Sequence, residues 1–379
     1  MLLSALLGGL GLLLAVAPPA FLTELLSPAS AALTAMSGWH LLFAWSVSAL
    51  LLLLLLTWQE KSAAMRGTHR AALSPLVDKG LRLLYLLLLS APLLLLAPRL
   101  AAVALLPYIP TYVDGSEKQH GRSGSAHAAW LRRWRLWGWM SRQIGLRMVC
   151  TAPLPADEAY ILCLHPHGIL PFGSMLNFCS DVNGVRDLLP GVRYNALAAS
   201  FCFYLPGVRD LYLAAGIIDA ARYVAEGVLR SGRSLVLVPG GASEALHARP
   251  GSATLILQRR RGFIKLALET GAALVPVYSF GETNTYMQVE SGPGSWVSAA
   301  KAKFQSVFGM SMPLVRNLLP LECQVTTVVG KPIPVERASQ PSDEQVEALK
   351  ARYIVAVREL FAANASKYCA GQAPKLEII

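Results

Sequence analysis

Apolar residues crowd the front of the chain. Three blocks, Met1–Ala17, Trp39–Trp58 and Leu81–Leu106, follow one another, and the first Lys or Arg is Lys61. The second block carries the unbroken run Leu50–Leu56 between two framing tryptophans. As a helix it is long enough to cross the about 30 Å of hydrocarbon in a bilayer, and Trp favours the two interfaces. It predicts a transmembrane helix. The first block ends on Ala15-Val16-Ala17, an A-x-A-like cleavage site, but lacks a basic leader, so a signal peptide and an uncleaved anchor both fit. The third contains Arg82, Pro92, Pro98 and Arg99. A proline inside a helix removes a ladder hydrogen bond, so a kinked span and a re-entrant hairpin both accommodate it. Lys61, Arg66, Arg70 and Lys79 precede this block, whereas Lys118, Arg122, Arg132, Arg133, Arg135, Arg142 and Arg147 follow it. The positive excess predicts a cytosolic C-terminal side.

Asp114–Ala128 is polar, with Gly and Ser, and reads as a linker. In Trp130–Trp139, helical spacing sets Trp130, Trp134 and Trp137 on one side. This predicts a helix in the headgroup layer with Arg132, Arg133 and Arg135 toward phosphates; a helix docked on the core with solvated arginines is the alternative.

From about Leu146 the pattern changes to alternating strands and helices. Tyr160–Leu164, Ser234–Val238, Ala273–Phe280 and Gln324–Val329 are short apolar runs closed by turn residues, hence strands. Gly262–Thr270 has helical period and ends at Gly271, and Ser342–Ala363 reads as an amphipathic helix capped by Ser342. The alternation predicts an α/β domain with a mostly parallel sheet flanked by helices, behind a transmembrane or re-entrant helical region. The boundaries are 1–110 for the membrane-anchoring region, 111–129 for the linker and 130–379 for the α/β domain.

Composition sharpens this. Over 379 residues, 54% are hydrophobic, 15% charged, and the net charge is +11. That excludes intrinsic disorder, which needs low hydrophobicity and high charge. The positive balance suits anionic headgroups or a phosphate-bearing co-substrate, and nucleic acid fits worst because the apolar excess lies in blocks. The 6 cysteines show no C-x-x-C pair and no histidine at zinc-finger spacing. Free thiols are expected, with neither a disulfide framework nor a metal site.

Of the 7 histidines, only His165, His167 and His247 belong to the α/β domain. His165-Pro166-His167-Gly168 follows directly on the Tyr160–Leu164 strand, where open α/β sheets place ligands, and a histidine there can act as a general base. Val238-Pro-Gly-Gly-Ala-Ser-Glu244 ends another strand. Its Gly240 and Gly241 amides could meet an oxyanion or could simply make a tight turn. Gly241-Ala-Ser243-Glu-Ala245 resembles a nucleophile elbow. The only histidine after Ser243 is His247, four residues on, which leaves no room for a triad drawn from separate strands. Arg259, Arg260, Arg261 and Lys265 form a basic cluster at the start of a helix, suited to phosphates or to a solvated face. Phe172, Leu176 and Phe178 could line the apolar part of a ligand or belong to the core.

These segments carry a resemblance. His165–Gly168, Phe203-Tyr-Leu-Pro206 with Arg209-Asp210, Gly240–Glu244, Arg260–Glu282, Thr326–Pro332 and the Pro341–Phe361 helix are similar, in this order, to the diacylglycerol acyltransferase type 2 family, which includes monoacylglycerol acyltransferases and wax synthases. The resemblance covers about residues 130–369. It implies an endoplasmic-reticulum membrane enzyme with a cytosolic catalytic domain, and a lipid-droplet association is compatible with it. The reaction implied moves a fatty acyl group from acyl-CoA, a co-substrate, to diacylglycerol, with no cofactor. A monoacylglycerol or fatty-alcohol acceptor stays open, as do a homo-oligomer and a catalytically silent lipid-binding protein on the same scaffold. The resemblance carries the general-base role to His167, with His165 supporting; Glu244 is expected to orient an active-site group or the acceptor. Acyltransferases that act on glycerol phosphates have Asp five positions after their histidine, whereas Leu170 and Phe172 stand at those positions here. The family's Tyr-Phe-Pro box falls on Gln143-Ile144-Gly145 and is lost.

Overall fold

The computed structural model describes residues 98–288, 316–317, 319–369 and 373–379, with scattered positions between 79 and 90. The apolar blocks at 1–17 and 39–58, much of the third, and the charges between Lys61 and Arg70 lie outside the described residues. Among the described residues no helix is long and apolar enough to cross a membrane.

The elements run α1 (Pro98–Tyr112), α2 (Ala126–Arg132), α3 (Arg135–Ile144), β1 (Arg147–Cys150), β2 (Tyr160–His165), α4 (Phe172–Cys179), α5 (Val185–Leu188), β3 (Tyr194–Ala198), α6 (Val208–Ala215), β4 (Ile217–Asp219), α7 (Arg222–Arg230), β5 (Ser234–Leu237), α8 (Ala242–His247), β6 (Thr254–Leu255), α9 (Gly262–Thr270), β7 (Ala273–Phe280), β8 (Thr326–Val329), α10 (Asp343–Tyr368) and β9 (Glu377–Ile378). Among the described residues, seven strands make one sheet in the order β1-β8-β7-β2-β5-β3-β4. Every pairing is parallel except β7 with β8, where Phe280 lies opposite Thr326. β6 and β9 form a separate parallel pair that fastens the C-terminus.

The central strands β2 and β7 are buried throughout, which is why they read as continuous apolar runs. Alternate residues face opposite layers. Ile161 and Cys163 join a core with α7, α9 and α10, while Tyr160, Leu162 and Leu164 join a second core with Phe178 of α4 and Leu213 of α6. The capping box of Ser342 and Gln345 starts α10, and its apolar face Val346, Leu349, Tyr353, Val357, Leu360 follows helical period against the sheet.

Two expectations are corrected. Trp130–Trp139 is not one helix: the chain breaks at Arg133 and Trp134 between α2 and α3. Arg132 does not face outward. It is buried, bonds Asp181 at 2.9 Å and reaches the Phe178 carbonyl at 3.3 Å. The tryptophans still stack, Trp130 on Trp134 and Trp134 edge-on to Trp137, and Trp130, Trp134 and Trp139 remain exposed. The segment after α1 is not a free linker either. Glu117 is fully buried between Arg82 at 2.7 Å and Arg209 at 2.8 Å, Arg122 bridges Asp114 and Asp210, and the Tyr108 hydroxyl donates to Asp210. This ionic cluster fastens α1 and the residues after it to the Phe203–Asp210 motif.

Candidate active site

The carboxyl ends of β2, β5 and β7 lie side by side, and the loops leaving them form the site. β2 ends at His165, which is fully buried. Its Nε2 lies 2.7 Å from the Tyr353 hydroxyl of α10, and burial holds its pKa down to about 3. It is a neutral strut of the core.

His167, two residues on, is half-buried. Its backbone N–H donates to Glu244 Oε2 at 2.8 Å, and its Nδ1 lies 3.2 Å from the Gly168 carbonyl. A carbonyl only accepts, so that contact places the proton on Nδ1 and leaves the Nε2 lone pair for another group. Burial lowers the imidazole pKa below its ordinary value, so the ring is neutral near pH 7. Gly168 adopts φ +61°, a conformation other residues rarely take.

β5 ends in the turn Pro239-Gly240-Gly241. Glu244, in the first turn of α8, folds back over Gly240, where an added Cβ would sit 1.9 Å from its Oε1. The same oxygen accepts the Ile256 amide at 2.9 Å. Glu244 is buried, and its pKa is pushed up to about 7 by that burial against the pull of the two amides and Arg260. The Gly241 amide closes the turn onto the Val238 carbonyl at 3.1 Å. That bond removes Gly241 from the expected oxyanion pair and leaves Gly240.

The basic cluster is divided. Arg260 turns inward, donating to the Gly240 carbonyl at 2.7 Å and to Ser243 Oγ at 2.9 Å, so it braces the Gly-Gly turn instead of facing outward. Arg261 is ion-paired with Asp343 at 2.6 Å and Glu347 at 3.1 Å on α10. Arg259 is exposed and Lys265 half-buried. Phe178 is fully buried in the sheet core and edge-on to Tyr194, and Leu176 packs with Met140, Ile144, Leu146 and Val325. Both are core residues. Phe172 touches Leu176's cluster and also that of Ile169, Ala248 and Tyr286, beside the His167 loop. His247 is exposed, and its Nδ1 lies 3.1 Å from the Ser243 carbonyl.

Sequence reasoning missed two participants. Tyr353 lies far along the chain on α10, with no local sign of its partner. Glu282 follows the longest buried strand after Gly281, and a carboxylate at the end of a strand next to β2 was the available signal. It is fully buried and accepts the Gly173 amide at 3.0 Å and the Ser174 amide at 2.8 Å.

A neutral histidine whose Nε2 has no hydrogen-bond partner among the described residues lies beside two buried carboxylates at the carboxyl end of a mostly parallel sheet. The sequence model described as Diacylglycerol acyltransferase matches residues 93–379. Diacylglycerol O-acyltransferase 2-like protein 6 of Homo sapiens is 34% identical over 284 residues, covering 71% of this chain and 83% of that protein. 2-Acylglycerol O-acyltransferase 1 of Bos taurus is 34% identical over 69% of this chain and 82% of its own, and Diacylglycerol O-acyltransferase 2 of Xenopus tropicalis 34% over 68% and 74%. Among solved structures, the 1-acyl-sn-glycerophosphate acyltransferase of Thermotoga maritima aligns with a TM-score of 0.38 at 13% identity, covering 77% of this chain and 98% of that one. The chain belongs to the diacylglycerol acyltransferase family, and is an acyltransferase.

Proposed function

We propose that this protein transfers a fatty acyl group from acyl-CoA to the free hydroxyl of diacylglycerol, forming triacylglycerol, with His167 as general base. The supporting observation is the imidazole: Nδ1 is committed to the Gly168 carbonyl, and Nε2 is left with its lone pair. Nε2 takes the hydroxyl proton as the acceptor oxygen bonds to the thioester carbon. The C–S bond then breaks, and the imidazolium returns the proton to the coenzyme A thiolate. The Gly240 amide is the donor assigned to the developing oxyanion, held by Arg260 through the Gly240 carbonyl. Arg259 and Lys265 are assigned to the coenzyme A phosphates, which leaves Arg260 and Arg261 out of that role.

The acceptor and the product are almost insoluble in water, so the reaction belongs at a bilayer. The apolar N-terminal blocks and the exposed Trp130, Trp134 and Trp139 support placing the site at an endoplasmic-reticulum membrane surface. A second reading, with monoacylglycerol as acceptor, draws on the equal identity of the 2-acylglycerol and diacylglycerol relatives.

Microsomes expressing the chain, given labelled oleoyl-CoA with diacylglycerol, monoacylglycerol or hexadecanol, test both. Triacylglycerol from the wild type, falling at least about a hundredfold in His167→Ala, is expected, since general-base help is worth about 10²–10⁴ in rate. Full turnover by the variant removes His167 from the role, and label in diacylglycerol or wax ester changes the acceptor.

A further inference from the structure

Helix α4 begins five residues after His167, and its N-terminus has no cap of its own. Pro171 stands at the cap position and offers no side-chain acceptor to the first-turn amides. Both amides that a capping side chain would satisfy, those of Gly173 and Ser174, are instead taken by the two oxygens of Glu282, which reaches across from the end of β7. A carboxylate there also meets the positive end of the helix.

The same side chain touches the histidine loop directly. A Cβ added at Gly168 would lie 3.2 Å from Glu282 Cγ and 3.4 Å from its carbonyl oxygen, so the Gly168 backbone rests against Glu282. It is the Gly168 carbonyl that faces His167 Nδ1. Gly173 fits so closely that its own Cβ would meet Glu282 Oε2 at 3.0 Å and Val325 at 3.3 Å. Gly281 sets the carboxylate at this depth: at φ +88°, an added Cβ would stand 2.0 Å from the Gln324 carbonyl oxygen. Glycine alone is tolerated there.

We propose that Glu282 is a positioning residue for the acyl-transfer base. By capping α4 and backing Gly168, it fixes the carbonyl that sets the tautomer and the aim of the His167 ring. The loop is thus held at both ends by carboxylates from the two strands flanking β2, Glu244 at the His167 amide and Glu282 at the far end. The inference rests on the reading of His167 as the base. Glu282 touches neither acyl-CoA nor the acceptor in this account, so its removal lowers turnover and leaves substrate binding unchanged.

The test is steady-state kinetics on the full chain in microsomes, with labelled oleoyl-CoA and diacylglycerol, for Glu282→Gln, Glu282→Asp, His167→Ala and the Glu282→Gln/His167→Ala pair. Glutamine keeps the shape but turns an NH₂ donor toward one of the two amide donors, so the cap is half lost. A misplacement near 1 Å costs up to about a hundredfold, so kcat is expected to fall about 10- to 100-fold with both KM values within about twofold. Glu282→Asp, which keeps the charge but is one methylene short, should fall between Gln and wild type. If the Gln variant does not accumulate, the Asp variant carries the same test. Because Glu282 acts through His167, the double variant should be no slower than His167→Ala alone. Unchanged kcat in Glu282→Gln, a raised KM with kcat intact, or a further loss of the same factor in the double variant each overturns the proposal. Retained activity in His167→Ala overturns the base assignment and this inference with it; lost activity there with intact Glu282→Gln overturns this inference alone.

Discussion

Glu244→Gln gives the sharpest view of how the histidine loop is held. In the wild type, one oxygen accepts the His167 amide at 2.8 Å and the other the Ile256 amide at 2.9 Å, in a site where the side chain is only 2% exposed. Glutamine can satisfy one of these donors and must point its own NH₂ at the other, leaving an amide unsatisfied at a cost of about 1–3 kcal/mol. Against that stands the cost of the charge. Burial raises the carboxyl from 4.5 to about 7, so the fold favours its neutral form. The stability this gives is complete below pH 4.5 and is lost as pH rises through 7. At about 1.4 kcal/mol per pH unit, ionised Glu244 destabilises the fold by about 3 kcal/mol at pH 8, a burden glutamine does not carry. The two terms nearly cancel, so Glu244→Gln should melt within a few degrees of the wild type. The loss falls on geometry: kcat should drop about 10- to 100-fold. The pH profile separates the causes. Glu244 and Glu282 are both pushed up to about 7 by burial, while burial lowers His167 below its ordinary range. Both carboxylates must be ionised to accept two amides each, so log kcat of the wild type should fall below pH 7 with a slope approaching two. In Glu244→Gln, where Glu282 alone of the two carboxylates still titrates, the slope just below pH 7 should approach one. Radiolabelled transfer from pH 5.5 to 9, with a melting curve at each pH, measures all of this. Wild-type kcat in the variant, or an unchanged acid slope, would refute the reasoning.

Two further substitutions probe the surroundings. Gly240→Ala sets a methyl 1.9 Å from Glu244 Oε1 and 2.0 Å from its Cδ, so the carboxylate must leave its place. Its kcat should be at least as low as that of Glu244→Gln, and activity near wild type would show that the carboxylate need not lie there. Glu117→Ala removes the buried carboxylate that Arg82 and Arg209 share, leaving Arg209 its pair with Asp114 at 2.8 Å. Removing one partner of a buried pair costs about 3–5 kcal/mol, so the melting temperature of detergent-solubilised protein should fall by about 10 °C, and a fall under about 2 °C would mean the cluster contributes little.

Much of the scaffold could be read from the chain because its signals are local. Ala273–Phe280 is apolar except at Ser279 since β7 is covered on both faces, and Gly262–Thr270 ends at Gly271, which adopts φ +77° in the structure. The His165–Gly168 box was placed by the strand that leads into it. What escaped depended on partners distant in sequence. β4 is three residues long, and β3 includes Asn195, whose amide donates to the Gly216 and His120 carbonyls, so neither shows a strand pattern alone. Arg132 looked like a solvated arginine because Asp181, which draws it inward, lies 49 positions away. Nothing local shows that Arg260 turns toward Gly240 while its neighbour Arg261 pairs with α10, since the two are chemically equivalent until the helix is docked. The aromatic and aliphatic positions after the histidine box were ambiguous for a related reason: helix period gives a buried face, but not whether a cleft or a core covers it.

The arrangement of the two carboxylates has a consequence for how an acceptor reaches the proposed base. His167 is held at its own amide by Glu244 after β5, and through Gly168 by Glu282 after β7, the two strands on either side of β2. A base fixed to the sheet at two points does not swing out to meet a substrate; the substrate must come to it. The next residues along the loop then matter. Ile169 packs with Tyr286 and Ala248, while Leu170 and Met287, their chain neighbours, are 45% and 46% exposed. Exposed leucine and methionine beside a rigid base cost solvation in water and cost nothing against hydrocarbon. Such a rim suits an acceptor that arrives within lipid and presents its hydroxyl from that side. A water-borne acceptor such as a glycerol phosphate would call for cations there, and Leu170 and Met287 supply none. For the reaction proposed above, the rigidity of the loop and the apolar character of its rim suit a neutral acylglycerol presented from lipid.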